Sequence, residues 1–419
     1  MTEQRPDLRF ARVCIFLTLA VTLAVEAFGQ ESGEPRATPA ATLELVQTVP
    51  AGTELGLEGL RDTHVVWREM IDGATQRIDL AHFYASNAPE PGAGRLEPIV
   101  QALERAAERG VRVRFLADKK FYGTYPDTLD RIDAREGAEV RIYDVDALTG
   151  GVLHAKWMLV DGREGFLGSQ NFDWRALEHI QELGVRFTGA PLMAAFDELF
   201  ELDWRQAADE TQVIDWSVPA APAAAAVTAD GTRVTPVYSP KARIPRGELW
   251  DLPRLVAAID GAERSVRVQL LNYRTVAYGE GYWDGLETPL RRAAARGVKV
   301  ELLVSHWATS RGTVEGLKSL TVLPNVEVRV LTVPENEAGF VPFARVAHSK
   351  LMAVDGSFAW IGTSNWQRGY FYESRNVGLV LEGGAAPATI DRYFRMGWGS
   401  PHAVPVDPAR DYPKPRVGE

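Results

Sequence analysis

Two histidines in this 419-residue chain stand in matching company. Counted from His154, Lys156 lies two residues on, Asp161 seven, Gly168 fourteen and Asn171 seventeen; Lys350, Asp355, Gly362 and Asn365 stand at the same offsets from His348. The phrase HAKWMLVDGREGFLGSQN thus recurs as HSKLMAVDGSFAWIGTSN. A lone His near a Lys is usually structural or solvated. The same pair recurring with the same downstream amide is what a working constellation requires.

The chemistry that fits these side chains is attack on a phosphodiester. The substrate is an anion, so catalysis needs a nucleophile that can approach it and donors that neutralise charge in the transition state. A neutral imidazole supplies the nucleophile, and a covalent phosphoryl-enzyme divides one difficult displacement into two easier ones. The second imidazole, protonated at the start, gives its proton to the leaving oxygen and then activates water. Lys156, Lys350, Asn171 and Asn365 are expected to hold the nonbridging oxygens. No metal or cofactor is called for, and either histidine fits the role of nucleophile.

The elements that position these groups can be read from local pattern. Strand alternation from His154 puts it on one face with Lys156, and Ala155, Trp157 and Leu159 on the other. Asp161-Gly162 is a hairpin-turn signal, and the strand returning from Glu164 brings Ser169 and Asn171 back near His154. Thr363 and Ser364 are supporting positions in the second copy. Asp161 and Asp355 each fall in an Asp-Gly turn, where a carboxylate bonds local backbone, so a scaffold role is expected for them. Orientation of the histidines is assigned instead to carboxylates further on, Glu182 and Glu373, although these stand at unequal offsets from His154 and His348.

The repeat extends beyond the motifs. WREMIDGATQRIDLAHFY, IVQALERAAERGVRVRFLADK and EVRIYDVDALTGG precede the first motif, and LVAAIDGAERSVRVQLLNY, LRRAAARGVKVELLVSHW and EVRVLTVPENEAG precede the second, in the same order. Amphipathic helical stretches alternate with β-branched strands, and Gly110 and Gly297 stand where helix C-caps belong. An α/β fold is expected, with two tandem α/β/α sandwich lobes and largely parallel sheets. The expected divisions are a signal segment (1–29), a flexible leader (30–42), a first lobe (43–217), a linker (218–231), a second lobe (232–402) and a tail (403–419).

Length points to two domains, and 46% hydrophobic with 24% charged residues to an ordinary globular protein. A net charge of -10 argues against stable binding of duplex nucleic acid along a basic face. Arg5, Arg9 and Arg12 precede an uncharged run over residues 13–25 and small residues at Ala27 and Gly29, the layout of an export signal. The protein is therefore expected in a bacterial periplasm or secreted. The one cysteine, Cys14, lies inside that run, so no disulfide is expected in the mature chain.

These motifs resemble the phospholipase D superfamily from about residue 45 to 401. That resemblance implies duplicated lobes facing each other across a pseudo-twofold axis, with one active site at the seam. VLHAKWMLVD, FLGSQNFDWRAL, QELGV, VELLVSHW, VPFARVAHSKLM and WIGTSNWQRGYF resemble, more narrowly, the animal lysosomal type II membrane members that act as single-strand 5′-exonucleases. The resemblance implies a covalent phosphohistidine and single-stranded DNA or RNA ends as substrate. A phospholipid substrate is the competing expectation, and no protein partner is implied. Tyr84, Trp174 and Arg175 are candidates to stack bases or hold a phosphate, with His306 as a pocket neighbour. The cysteines of the animal proteins are absent here.

Overall fold

The computed structural model describes residues 40–418 apart from 91, 210, 217–224 and 278–280. The expected signal segment, Cys14 and the leader up to residue 39 lie outside the described residues. Pro39–Glu419 is one compact unit built around two sheets.

Across the first sheet the strands run Arg61–Asp62, Leu43–Thr48, Glu182–Thr188, Glu164–Gly168, Lys156–Val160, Arg77–His82, Arg112–Asp118 and Ala138–Tyr143. Across the second they run Ala226–Val227, Arg233–Ser239, Asn376–Glu382, Phe358–Gly362, Leu351–Val354, Ser265–Leu270, Lys299–Ser305, Val326–Leu331 and Ala403–Pro405. The repeat read from the sequence is thus a repeat of topology.

The sheets are mixed rather than largely parallel. Helical crossovers make Arg77–His82, Arg112–Asp118 and Ala138–Tyr143 parallel, but the motif is a hairpin, and a hairpin pairs only antiparallel. Lys156–Val160 therefore runs antiparallel to both of its neighbours. Two boundaries also shift. Ala226–Val227, inside the expected linker, already pairs with Arg233–Ser239, and the expected tail begins as a strand on Val326–Leu331.

Local signals explain where elements stop. The helix Glu97–Glu108 carries Pro98 in its first turn, and beyond its C-cap Arg109 the chain reverses at Gly110 with φ +85°. Gly297 repeats this at φ +91°. Both conformations favour glycine, which has no Cβ to clash.

The lobes share a core. Trp157, Phe196 and Phe200 of the first half pack in one cluster with Tyr238, Leu379, Tyr393 and Phe394 of the second. Separate clusters line the outer face of each sheet, around Trp67 and Met70 in one lobe and Leu290 and Trp360 in the other. The two lobes expected from length each keep an outer cluster of their own and close on a common core between the sheets. Among the described residues no helix is long and apolar enough to cross a membrane.

Candidate active site at the lobe seam

Each motif enters the seam just before its strand starts, and there the backbone crosses between lobes. His154 N–H donates to Arg375 O at 3.0 Å, and His348 N–H donates to Gln181 O at 2.9 Å. Leu153 bridges Arg375 and Gln181 bridges Ala347 in the same parallel sense. These reciprocal contacts are what a pseudo-twofold seam would generate.

The residues after those crossing points hold the imidazoles. His348 Nδ1 lies 2.9 Å from both Oε1 and Oε2 of Glu182, and His154 Nδ1 lies 3.1 Å from Asn376 Oδ1. The Asn376 orientation is fixed by its other contacts: Nδ2 donates to Tyr370 O and Ser374 O, and Oδ1 also accepts from Thr363 Oγ1 at 2.9 Å. An amide oxygen must therefore face His154, and His154 donates from Nδ1. Each histidine is thus oriented by the opposite lobe through Nδ1, and His348 is also in hydrogen-bonding reach of the Ser169 backbone.

Here the structure departs from the sequence expectation. Glu373 pairs with Arg368 at 2.6 Å and bonds neither histidine. Its turn sits three residues short of the position that faces His154, which Asn376 occupies. The signal was present, since Glu182 and Asn376 each follow the histidine of their own lobe by 28 residues. A search confined to carboxylates passes over it.

Lys156 and Lys350 are almost completely buried and mirror each other, each donating from Nζ at 2.6 Å to the carbonyl of its own histidine, His154 or His348. Burial pushes Lys350 down to about 7, opposed by the Glu182 charge. Burial and the Lys350 charge hold Lys156 well below the ordinary range, opposed by Glu182 and Asp118. Burial drives Glu182 up to about 7 against the pull of both lysines. Burial and the two ammonium groups press both imidazoles well below the ordinary histidine range.

The amides differ. Asn365 Oδ1 accepts from Asn272 N at 3.3 Å and its Nδ2 lies 3.4 Å from Tyr370 Oη, whereas Asn171 is 9% exposed and its Oδ1 has no hydrogen-bond partner among the described residues. Ser169 exchanges hydrogen bonds with Leu183 and pulls Glu182 downward, and Thr363 does the corresponding work on Val377 and Asn376. Ser364 turns away to Asp251, at 3.4 Å.

Asp161 and Asp355 sit at the far end of their strands. Seven residues of extended chain separate each from its histidine, roughly 23 Å. Both adopt positive φ, +54° and +52°, in the expected turns. Their carboxylates bond the backbone of a distant turn: Asp161 accepts from Thr75, Gln76 and Arg77 N–H at 2.7–2.9 Å, and Asp355 from Glu263, Arg264 and Ser265; within its own turn Asp161 pairs with the Arg163 guanidinium, at 2.6 Å.

Of the substrate candidates, Tyr84, Trp174 and Arg175 belong to the first lobe and His306 to the second. Phe83 lies 5.1 Å from the His154 ring, Phe121 4.0 Å from Phe83, and Tyr84 stacks between Phe121 and Tyr125 at 5.6 and 5.1 Å. Tyr370 approaches His154 from the other side at 4.8 Å. Arg175 is clamped by Asp173 through two nitrogens, so its charge is already matched. Trp174 meets His179 edge-on, and His306 lies half-buried with Nδ1 unpartnered beside Trp307. Neither makes a described hydrogen bond to the histidine set. Among the described residues no group of three or more His, Cys, Asp or Glu is placed to hold a metal ion.

Comparison with known proteins gives the same duplication. The family described as "Cardiolipin synthase, PLD-like domain" matches residues 67–204 and 255–398. Phospholipase D Z of Dictyostelium discoideum is 30% identical over 391 residues, covering 87% of this chain and 91% of that protein. The human 5'-3' exonuclease PLD3 is 30% identical over 406 residues, covering 88% and 81%. The crystal structure of phosphatidylserine synthase from Haemophilus influenzae superposes with a TM-score of 0.59 at 11% identity over 82% of this chain and 85% of that one, a likeness of fold. With paired motifs, paired sheets and a family match over both halves, the chain belongs to the phospholipase D superfamily.

Proposed function

We propose that this phospholipase-D-type phosphodiesterase trims single-stranded nucleic acid from a 5′ end through a covalent phosphohistidine. The observation that carries the chemistry is the crossed pairing, which fixes both imidazoles through Nδ1; in this reading Nε2 of each is the atom that faces the substrate.

The unequal partners divide the labour. Burial and the lysines disfavour imidazolium at both histidines, but only His348 has a carboxylate, Glu182, to oppose them, so His348 is assigned as the general acid. A neutral amide among aromatic rings gives no such support, so His154 stays neutral and acts as nucleophile. His154 Nε2 attacks phosphorus, the bond to the leaving oxygen breaks, and His348 donates its proton to that oxygen. Water then attacks the phosphohistidine, His348 takes its proton, and the P–N bond breaks. Lys156, Lys350, Asn171 and Asn365 hold the nonbridging oxygens throughout.

The substrate reading draws on the similarity to PLD3 and on the aromatic series from Phe83 through Phe121 and Tyr84 to Tyr125. Such rings accept unpaired bases without regard to sequence. The corresponding second-lobe positions after the strand are Leu271 and Asn272, so the two walls differ. Phospholipid is the second reading, favoured by the equal identity to Phospholipase D Z. The signal-like run over residues 13–25 supports reading the protein as exported.

The test offers a 5′-hydroxyl single-stranded oligonucleotide and phosphatidylcholine in parallel. Stepwise shortening of the oligonucleotide, with a phosphorylated His154 peptide trapped by acid-free mass spectrometry, is expected. Turnover of the lipid alone would overturn the substrate, and phosphate on His348 would reverse the roles.

A further inference from the structure

The two half-sites are not equivalent, and the difference lies beneath them. Asp118 closes the strand Arg112–Asp118 and is 2% exposed. One carboxylate oxygen accepts from Lys120 and Phe121 N–H at 3.0 and 3.4 Å, capping the short helix that carries Phe121. The other accepts from Leu153 N–H at 2.6 Å, immediately before His154. The matching residue in the second lobe is Ser305, at the end of Lys299–Ser305, whose hydroxyl caps Trp307 N–H at 3.3 Å. It has no charge to offer.

We propose that Asp118 is a positioning residue of the first half-site, tethering the His154 segment to the sheet and keeping the Lys156 ammonium charged. Lys350 draws its opposing charge from Glu182, whereas Lys156 draws on both Glu182 and Asp118. The charged and titratable groups around Asp118 are Lys120 on its own helix, Lys119 held by Asp144, Lys156 and His154 from the motif, and Tyr143, its register partner in Ala138–Tyr143. Burial drives Asp118 up to about 6, opposed by the hydrogen bonds from Leu153, Phe121 and Lys120 and by the Lys120 charge. The carboxylate is therefore ionised at neutral pH. Protonation in mildly acid solution removes the support it gives to Lys156.

The inference rests on the two-histidine reading of the site and not on the choice of substrate. Its test measures kcat and KM of the full-length protein on bis(p-nitrophenyl) phosphate between pH 5 and 9. Asp118→Asn keeps a cap oxygen but sets an amide NH2 against Leu153 N–H. It is expected to lower kcat roughly tenfold to a hundredfold with KM nearly unchanged. Loss of the negative charge lowers the Lys156 pKa, so the alkaline limb of the profile is expected to move about one pH unit toward acid. Ser305→Ala is expected to leave that limb in place. Where Asp118→Asn does not fold, Asp118→Ser, which installs the second lobe's cap, is read the same way. An unchanged profile, or a loss by the same factor at every pH, overturns the assignment. Failure of the wild-type protein to turn over any phosphodiester would instead sink the reading of the site itself.

Discussion

At the scale of the residue, this site turns on the difference between one carboxylate and one amide. Glu182 holds His348 and Asn376 holds His154, so changing either partner is expected to act through protonation. Glu182→Gln removes the charge that favours imidazolium and is expected to cut kcat by roughly 10²- to 10⁴-fold with little change in KM, as loss of the triad carboxylate does in serine proteases. Asn376→Asp gives His154 a carboxylate and raises its pKa, so the acid limb of kcat/KM is expected to move to higher pH. Steady-state kinetics on both variants checks the division of roles; equal profiles would refute it. The wild-type window follows from the same groups. The Lys350 ammonium is complete below about 7 and is lost as pH rises through that value, while His154 remains neutral down to well below the ordinary histidine range. Activity is therefore expected to fall above about pH 7 as the Lys350 ammonium is lost, and to fall again in acid solution as the Glu182 and Asp118 carboxylates are protonated. Lys350→Arg, slower overall because guanidinium is larger, is expected to remove the Lys350 contribution to that alkaline fall, since arginine keeps its charge, and to leave Lys156 as the group that sets the limb.

At the scale of the element, the Asp-Gly turn was legible and its purpose only partly so. Asp161 and Gly162 adopt the positive φ that a tight hairpin demands, as the dipeptide announces. The pairing of the Asp161 carboxylate with residues 75–77, more than 80 positions away, carries no local signature. Burial alone would raise this carboxyl, but backbone donors from Arg77, Gln76 and Thr75 and the Thr75 hydroxyl outweigh it and bring it down to about 2. Because the folded pKa lies below the unfolded value, the stabilisation is complete above about pH 4 and is lost as pH falls toward 2. It amounts to about 2 kcal/mol at neutral pH. Asp161→Asn is expected to lower the urea midpoint at pH 7 by a corresponding amount, with a smaller difference from wild type near pH 2. The folded variant should keep its kcat, because roughly 23 Å of strand separates residue 161 from His154.

At the scale of the whole molecule, the sequence displayed the duplication but not the closure. Offsets within each half are local, so His154, Lys156 and Asn171 could be aligned with their counterparts by counting. The contacts that finish the site join residues 166 and 222 positions apart, and no periodicity reports those. The same holds for the shared core, where Tyr393 hydrogen-bonds Ser349 and also donates to Glu182 O across the seam. Gly151 is the most exposed test of this closure. A Cβ there would meet the backbone of Glu373 and Ser374 in the opposite lobe, which cannot swing aside as a side chain can. Gly151→Ala should therefore push away the segment that ends in Asn376 and loosen the hold on His154. The expected result is a lower melting temperature with kcat reduced more than KM is raised. Wild-type calorimetry should show one cooperative transition, because neither sheet can lose its inner face without exposing the other's. Two separable transitions, or a Gly151→Ala protein as stable and active as wild type, would mean that the lobes fold and work as independent halves.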